Sequence, residues 1–294
     1  MKKGLFIFLI LGLFGFVFLA QAFSVTPVKQ VITLEQGASR VVKIKIRNTE
    51  KEITKYKTTI LGVKQNEQGY PIYGLGIEEA EGWVRAEQEF IEILPGKEME
   101  ASFVINVPKE SYPGSHYVGL GVEPILIGES KNFTGKLVSL LLVEVSGEVT
   151  ENLAVLSWSG EKDLYVSLNQ VKFNTVLKNN GNTELPLKGK LRVYNWLNKE
   201  VVESEVYLGG PLLAQNQRKS EVLLPVQKSW YLPGSYRAQL DLIYGRTNQK
   251  LSVQYSFWYL PLSWLIVLSI FLGLIFLATI RKIISKKRQT NYLN

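Results

Sequence analysis

The sequence contains no cysteine and a single histidine, His116. Absent cysteines exclude disulfide staples, thiolate zinc sites, haem attachment, a cysteine nucleophile and a lipid-modified cysteine anchor. One histidine leaves little room for a histidine metal site or a Ser-His-Asp triad. Aspartate is scarce too, limited to Asp163 and Asp241. No Gly-x-Ser-x-Gly elbow occurs, and Gly96-Lys97 and Gly135-Lys136 lack the Ser or Thr that would complete a phosphate loop. These gaps point away from an enzyme and call for no cofactor and no metal. Charge is also sparse, at 20% of residues against 46% hydrophobic.

The net charge of +8 is a property of the chain ends. Lys2 and Lys3 precede one apolar run, and Arg281, Lys282, Lys286, Lys287 and Arg288 follow another. Taking those seven from the 34 basic residues leaves the region between the runs within one charge of neutral against its 26 acidic residues. A nucleic-acid partner is therefore not expected, because such proteins cluster Lys and Arg on the folded domain.

Residues 1–22 read as a secretory signal peptide: a basic start, apolar Leu5 to Leu19, and a small-x-small site at Ala20-Gln21-Ala22. The second run, residues 260–280, carries no charge over a length that crosses a hydrocarbon core as a helix. Phe257, Trp258, Tyr259 and Trp264 flank its start, where aromatic rings favour the membrane interface. The basic tail, 281–294, is expected to stay cytoplasmic, which places 23–259 outside a cell membrane crossed once.

The exported region reads as strands. Val42, Ile44 and Ile46 alternate with Lys43, Lys45 and Arg47, and Tyr236 to Tyr244 alternate likewise. Leu137 to Val145, apolar on both faces, is expected to be a central strand. The order of signals repeats. Ile44 to Asn48, a polar turn and Tyr56 to Val63 match Phe173 to Asn179, a polar turn and Leu187 to Val193. Ser102 to Val107 leads to Pro113-Gly114, as Glu221 to Val226 leads to Pro233-Gly234. The expected fold class is all-β: two tandem Ig-like antiparallel β-sandwiches, 23–147 and 148–259, between the signal peptide and one C-terminal transmembrane helix.

One stretch, Gln65 to Arg85, breaks the strand rhythm with glycines and aromatic residues. Long loops on sandwiches often carry function. Tyr70, Tyr73 and Trp83 offer flat apolar faces with polar tips, suited to glycan or protein contact, and are the candidate ligand-binding residues. The alternative for Trp83 is closing the end of the core. His116 reads as a strand-face or turn-bonded histidine, and Glu78, Glu79 and Glu81 as a solvated acidic run.

The layout resembles the WxL-interacting proteins of bacterial cell surfaces. The resemblance is carried by Phe23-Ser24-Val25-Thr26-Pro27, the strand ending Arg47-Asn48-Thr49 and the Gly-Tyr-rich insertion. Ile93-Leu94-Pro95-Gly96, the Val107-Pro108-Lys109 to Pro113-Gly114 stretch, the helix and the basic tail complete it. It implies peptidoglycan binding by the first domain and binding of a host or surface partner by the second. The expected function is that of a membrane-anchored, non-catalytic scaffold engaging cell-wall polymer or another surface protein. The alternative is a structural subunit of a membrane complex, such as secretion or pilus-like machinery.

Overall fold

The computed structural model describes residues 23–125, 135–167, 171–224 and 232–291. The signal-peptide reading of 1–22 lies outside the described residues. The chain divides into two compact units. The first takes the chain up to Lys64 together with Tyr73–Glu148, and the second takes Gln65–Ile72 and everything from Val149.

In the first unit ten strands form two sheets. They are β1 (Phe23–Thr26), β2 (Lys29–Leu34), β3 (Ser39–Asn48), β4 (Thr54–Gln65), β5 (Pro71–Gly74), β6 (Val84–Ala86), β7 (Phe90–Ile93), β8 (Glu98–Asn106), β9 (Gly114–Ile125) and β10 (Leu137–Val145). The end of β4 and the start of β5 fall in the Gln65–Ile72 segment that belongs to the second unit. One sheet runs β1-β3-β8-β6; the other runs β2-β10-β9-β4-β5, with β7 also on β4. The period-two sets meet between them. Ile44, Ile46, Phe103, Ile105, Val118, Leu120, Leu141 and Val143 form one core, each burying its apolar side chain for about 1.5–3 kcal/mol. β10 lies between β9 and β2, so both its edges are paired, and Leu142, outside this core cluster, is as buried as Leu141 within it.

The first strand is split between the sheets. β1 pairs antiparallel with β3. After Pro27 the chain crosses over, and β2 pairs parallel with β10, Lys29 facing Leu140. Ser139 Oγ donates to the Pro27 carbonyl at 2.6 Å, satisfying backbone at the crossing where the pairing changes.

The second unit repeats the plan with β11 (Leu153–Gly160), β12 (Leu164–Tyr165), β13 (Lys172–Asn179), β14 (Leu187–Asn195), β15 (Glu200–Val206), β16 (Gln217–Leu223), β17 (Gly234–Tyr244) and β18 (Gln249–Tyr259). Its sheets are β11-β13-β16 and β12-β18-β17-β14-β15. Here too the leading strand pairs antiparallel with its neighbour, and the following one pairs parallel with the last strand. The core is more aromatic: the Phe173 ring stacks on Trp158 at 5.1 Å and meets Phe257 at 5.8 Å. The sequence duplication is thus a duplication of one Ig-like sandwich topology.

Matching positions behave alike. Gly114 and Gly234 each open the strand after a Pro-Gly step, with φ of 123° and 146°. Their partners, Val145 and Tyr259, each end the last strand of their unit. Such φ values suit glycine alone. The turns before β8 and β16 also correspond. Gly96 (φ 68°) in one is matched by Gln215 (φ 58°) in the other. A glutamine there is strained, and its amide offsets this by donating to the carbonyls of Asn180 and Gly181 at 3.1 and 2.9 Å.

The tight turn joining β17 to β18 is held by Glu151. Its carboxylate accepts from the N–H groups of Arg246 and Thr247 and from the Thr247 hydroxyl. Burial alone would lift this carboxyl, but those hydrogen bonds outweigh it and hold it below the ordinary value of 4.5. A group with a depressed folded value stabilises the fold above its unfolded value. That contribution is lost as pH falls through the folded value. Glu151→Gln is therefore expected to lower the second unit's melting midpoint at pH 7 and to flatten its fall below pH 4.5. An unchanged acid limb in calorimetry of the full chain would refute this.

Beyond β18 comes one helix, α1 (Leu262–Asn291). Its stretch Leu262–Ile283, none of it buried, is the one helix among the described residues long and apolar enough to cross a membrane. Just before it the Leu260 N–H still donates to the Tyr165 carbonyl at 2.9 Å. Pro261 then supplies the first helical carbonyl, to Trp264. The aromatic flank is smaller than the sequence suggests. β18 keeps its alternation to Tyr259, which puts Phe257 in the core at 1% exposure, while Trp258 and Trp264 are exposed.

Candidate functional site

The insertion that interrupts the strand rhythm has two structural parts. Residues Gln65–Ile72 belong to the second unit, and the rest to the first. Tyr70 therefore falls in the second unit, largely exposed, whereas Tyr73 and Trp83 fall in the first. Within the first unit those two sit on opposite faces of one sheet. Tyr73 lies on the outer face, where a Cβ on Gly119 would come within 3.0 Å of its ring. Leu61, paired with Gly119, lines the same face. The absence of a side chain at Gly119 is what lets the ring approach. The Tyr73 phenol is half covered, and burial pushes it above the usual tyrosine value.

Trp83 lies on the inner face. A 3-10 turn, Glu79–Trp83, closes the end of the core with Ala80 and Trp83, which is 6% exposed. Its ring meets the His116 ring at 4.5 Å. His116 Nε2 donates to the Tyr112 carbonyl at 2.9 Å, and Nδ1 lies 3.8 Å from Glu78. His116 is thus a turn-bonded residue on a tryptophan. The acidic run is not a purely solvated face. Glu81 accepts from the N–H groups of Gly62 and Gly76 at 3.1 and 2.7 Å and pins the turn onto β4. The contact with Gly62, nineteen residues back, gave no local signal in the sequence.

A broad cleft lies elsewhere, within the second unit, on the outer face of the five-stranded sheet. It is a cleft of about 950 Å³. Lys188, Lys190 and Arg192 of β14 project into it from alternate positions, facing Glu205 of β15, Asp241 of β17, and Lys250 and Ser252 of β18. Glu203 bridges Lys190 at 2.7 Å and Arg192 at 3.4 Å, and Arg192 also reaches Asp241 at 3.4 Å. A hydrogen bond from Lys190 lowers the Glu203 carboxyl, and contacts with Tyr194 and then Asp241 raise the Arg192 guanidinium. The floor carries both signs of charge and can exchange these pairs for the polar groups of a docked macromolecule. Ser252 donates to Asp241, but no histidine stands by to complete a nucleophilic site. Among the described residues no group of three His, Asp or Glu side chains could hold a metal ion. Sequence reading missed this cleft because its charges come from four strands whose pairing the sequence does not state. The legible signal was the alternation of Lys188, Lys190 and Arg192 outside Leu187 to Val193.

No family model and no curated protein matches the sequence. Solved structures to which the chain is similar include the chaperone–tip adhesin complex of CFA/I fimbriae biogenesis, at 12% identity and a TM-score of 0.44, over 81% of this chain and 99% of that one. The class 5 fimbriae chaperone CfaA gives 12% and 0.43, over 82% and 100%. The Pseudomonas aeruginosa chaperone CupB2 gives 7% and 0.36, over 79% and 98%. Likeness at this level says nothing of what this chain binds.

Proposed function

We propose that this chain is a membrane-anchored, non-catalytic cell-surface scaffold whose two sandwiches engage cell-wall polymer or another surface protein. The observation that carries the reading is the join between β18 and α1. A folded sandwich passes within two residues into a helix of membrane-crossing length. The layout shared with WxL-interacting proteins supports it, as does an open polar cleft without a nucleophile–base pair. Arg281 and Lys282 after the apolar stretch favour a cytoplasmic C-terminus and an exported Phe23–Tyr259.

The test uses the full chain in lipid nanodiscs, sedimented with isolated cell-wall polymer. Tyr70 and Tyr73 are substituted singly, since they lie in different units. A true anchor truncated to alanine is expected to weaken binding about 30-fold, the equivalent of about 2 kcal/mol. Retained affinity in both variants removes the tyrosines from the site. No sedimentation of the parent chain rejects the polymer as partner.

A second reading, a structural subunit of a secretion or pilus-like complex, is favoured by β11. Among the described residues this strand is paired on one side only, with β13, and leaves an edge that a partner strand can extend.

A further inference from the structure

We infer that the end of the second unit next to α1 is itself a lipid-binding surface, seated in the headgroup layer of the membrane that α1 crosses. The inference rests on the membrane-anchored reading and adds a second, sandwich-borne contact to it.

Three observations within this unit carry it. The first is tethering. Only Leu260 and Pro261 separate β18 from α1, and two residues span at most about 7 Å. The join is also stitched down: Trp258 N–H donates to the Asp163 carbonyl at 2.7 Å, and Leu260 N–H to the Tyr165 carbonyl at 2.9 Å. The end of the sandwich cannot stand away from the start of the helix.

The second is the surface at that end. Pairing sets Leu164 beside Trp258 and Trp258 beside Ser235. Asn195, the last residue of β14, faces Tyr236, and Trp196 follows it in the turn, against Gly234. A transverse row across three strands therefore reads Leu164, Trp258, Ser235, with Trp196 just past the end of the fourth. Leu164, Trp258 and Trp196 are 49%, 54% and 57% exposed. A Cβ on Gly234 would lie 2.5 Å from the Trp196 indole, so the ring is laid against backbone and held there. Leu197 at the tip of the β14–β15 hairpin and Val166 beyond β12 extend the apolar rim.

The third is the chemistry. Tryptophan with flanking leucine suits the boundary between headgroups and acyl chains, where the ring is apolar and its N–H wet. Large exposed apolar residues gathered at one end of a folded domain mark a contact surface. Its continuity with the helix names the bilayer as occupant.

The full chain has no cysteine, so single cysteines report position cleanly. Leu197→Cys, Lys250→Cys and Leu272→Cys are labelled with the same environment-sensitive dye. Each is reconstituted in phosphatidylcholine vesicles containing a nitroxide lipid, labelled either near the headgroup or deep in the acyl chain. Lys250 lies eight residues along β18 from Trp258, roughly 27 Å away. The headgroup nitroxide is expected to quench the Leu197 dye about five times more than the Lys250 dye, since such faces sink ~5–10 Å into the interface. Equal quenching at Leu197 and Lys250, with Leu272 quenched by the deep nitroxide, overturns the seat and leaves α1 in the membrane. A Leu197 dye shifted to the blue without lipid quenching also overturns it, since protein would then cover the rim. An unquenched Leu272 removes the membrane anchor and this inference with it.

Discussion

Asn179→Ala is expected to destabilise the second unit by about 3 kcal/mol, with the first unit unaffected. Asn179 is fully buried at the end of β13. Its Nδ2 donates to the carbonyls of Thr183, Leu212 and Leu213 at 2.7, 3.1 and 3.1 Å, and its Oδ1 accepts from the Gly181 N–H at 2.9 Å. One side chain thus closes the turn after β13 and ties it to the strand connection across the sandwich. Alanine leaves those groups buried without that partner, and each orphan costs about 1–3 kcal/mol. The costs share one site, so they do not simply add. The first unit carries the same device. Asn48 Nδ2 donates to the carbonyls of Glu52 and Ile93, and its Oδ1 accepts from the Glu50 N–H. Asn48→Ala is expected to weaken the first unit alone by a similar amount. Denaturant unfolding of the full chain in mild detergent separates the outcomes. A loss below about 1 kcal/mol in either variant would reject the shared role.

Arg218→Ala is expected to be costlier still, about 4 kcal/mol. Its guanidinium is buried among carbonyls of the β15–β16 connection. Nη1 reaches those of Leu208 and Gly210 at 2.9 and 2.5 Å, and Nη2 that of Pro211 at 2.8 Å. Burial pushes its pKa below the usual arginine value. The backbone is shaped around the group. Gly209, at φ 89°, would place a Cβ 2.9 Å from Nη1. Alanine removes the donors of three carbonyls and opens a cavity where a long side chain lay. Lysine keeps the charge but lacks the planar fork, so Arg218→Lys is expected to fall between. The same unfolding experiment decides. An alanine variant as stable as the parent would show that the loop satisfies its carbonyls another way.

Where residues repeat with period two, the sheets were readable. Lys43 to Arg47 and Tyr236 to Tyr244 alternate in sequence, and the faces they imply are the faces buried. The duplication was readable from Asn48 and Asn179 and from the paired Pro-Gly steps, because each marks a backbone need rather than a packing preference. The crossing strands were not. β12 has two residues, too few to show a period, and β2 pairs with a strand far along the chain. Trp83 was ambiguous because burial of an aromatic residue depends on a 3-10 turn that no alternation announces. Phe257 was misread from its nearness to an apolar run; its place in the alternation of β18 was the better guide.

The split first strand sets an order of events for a chain delivered N-terminus first. β2 emerges early in its own unit, yet its parallel partner β10 follows roughly a hundred residues later. The same holds for β12 and β18. Hairpins such as β9–β10 and β17–β18 close locally and quickly, while these pairings must wait for the whole unit. Each sandwich is therefore sealed last along a strand made first, and until then β10 and β18 each leave an open edge. In the second unit that seal closes only as the apolar helix follows β18, so completion of the fold and arrival of that helix coincide.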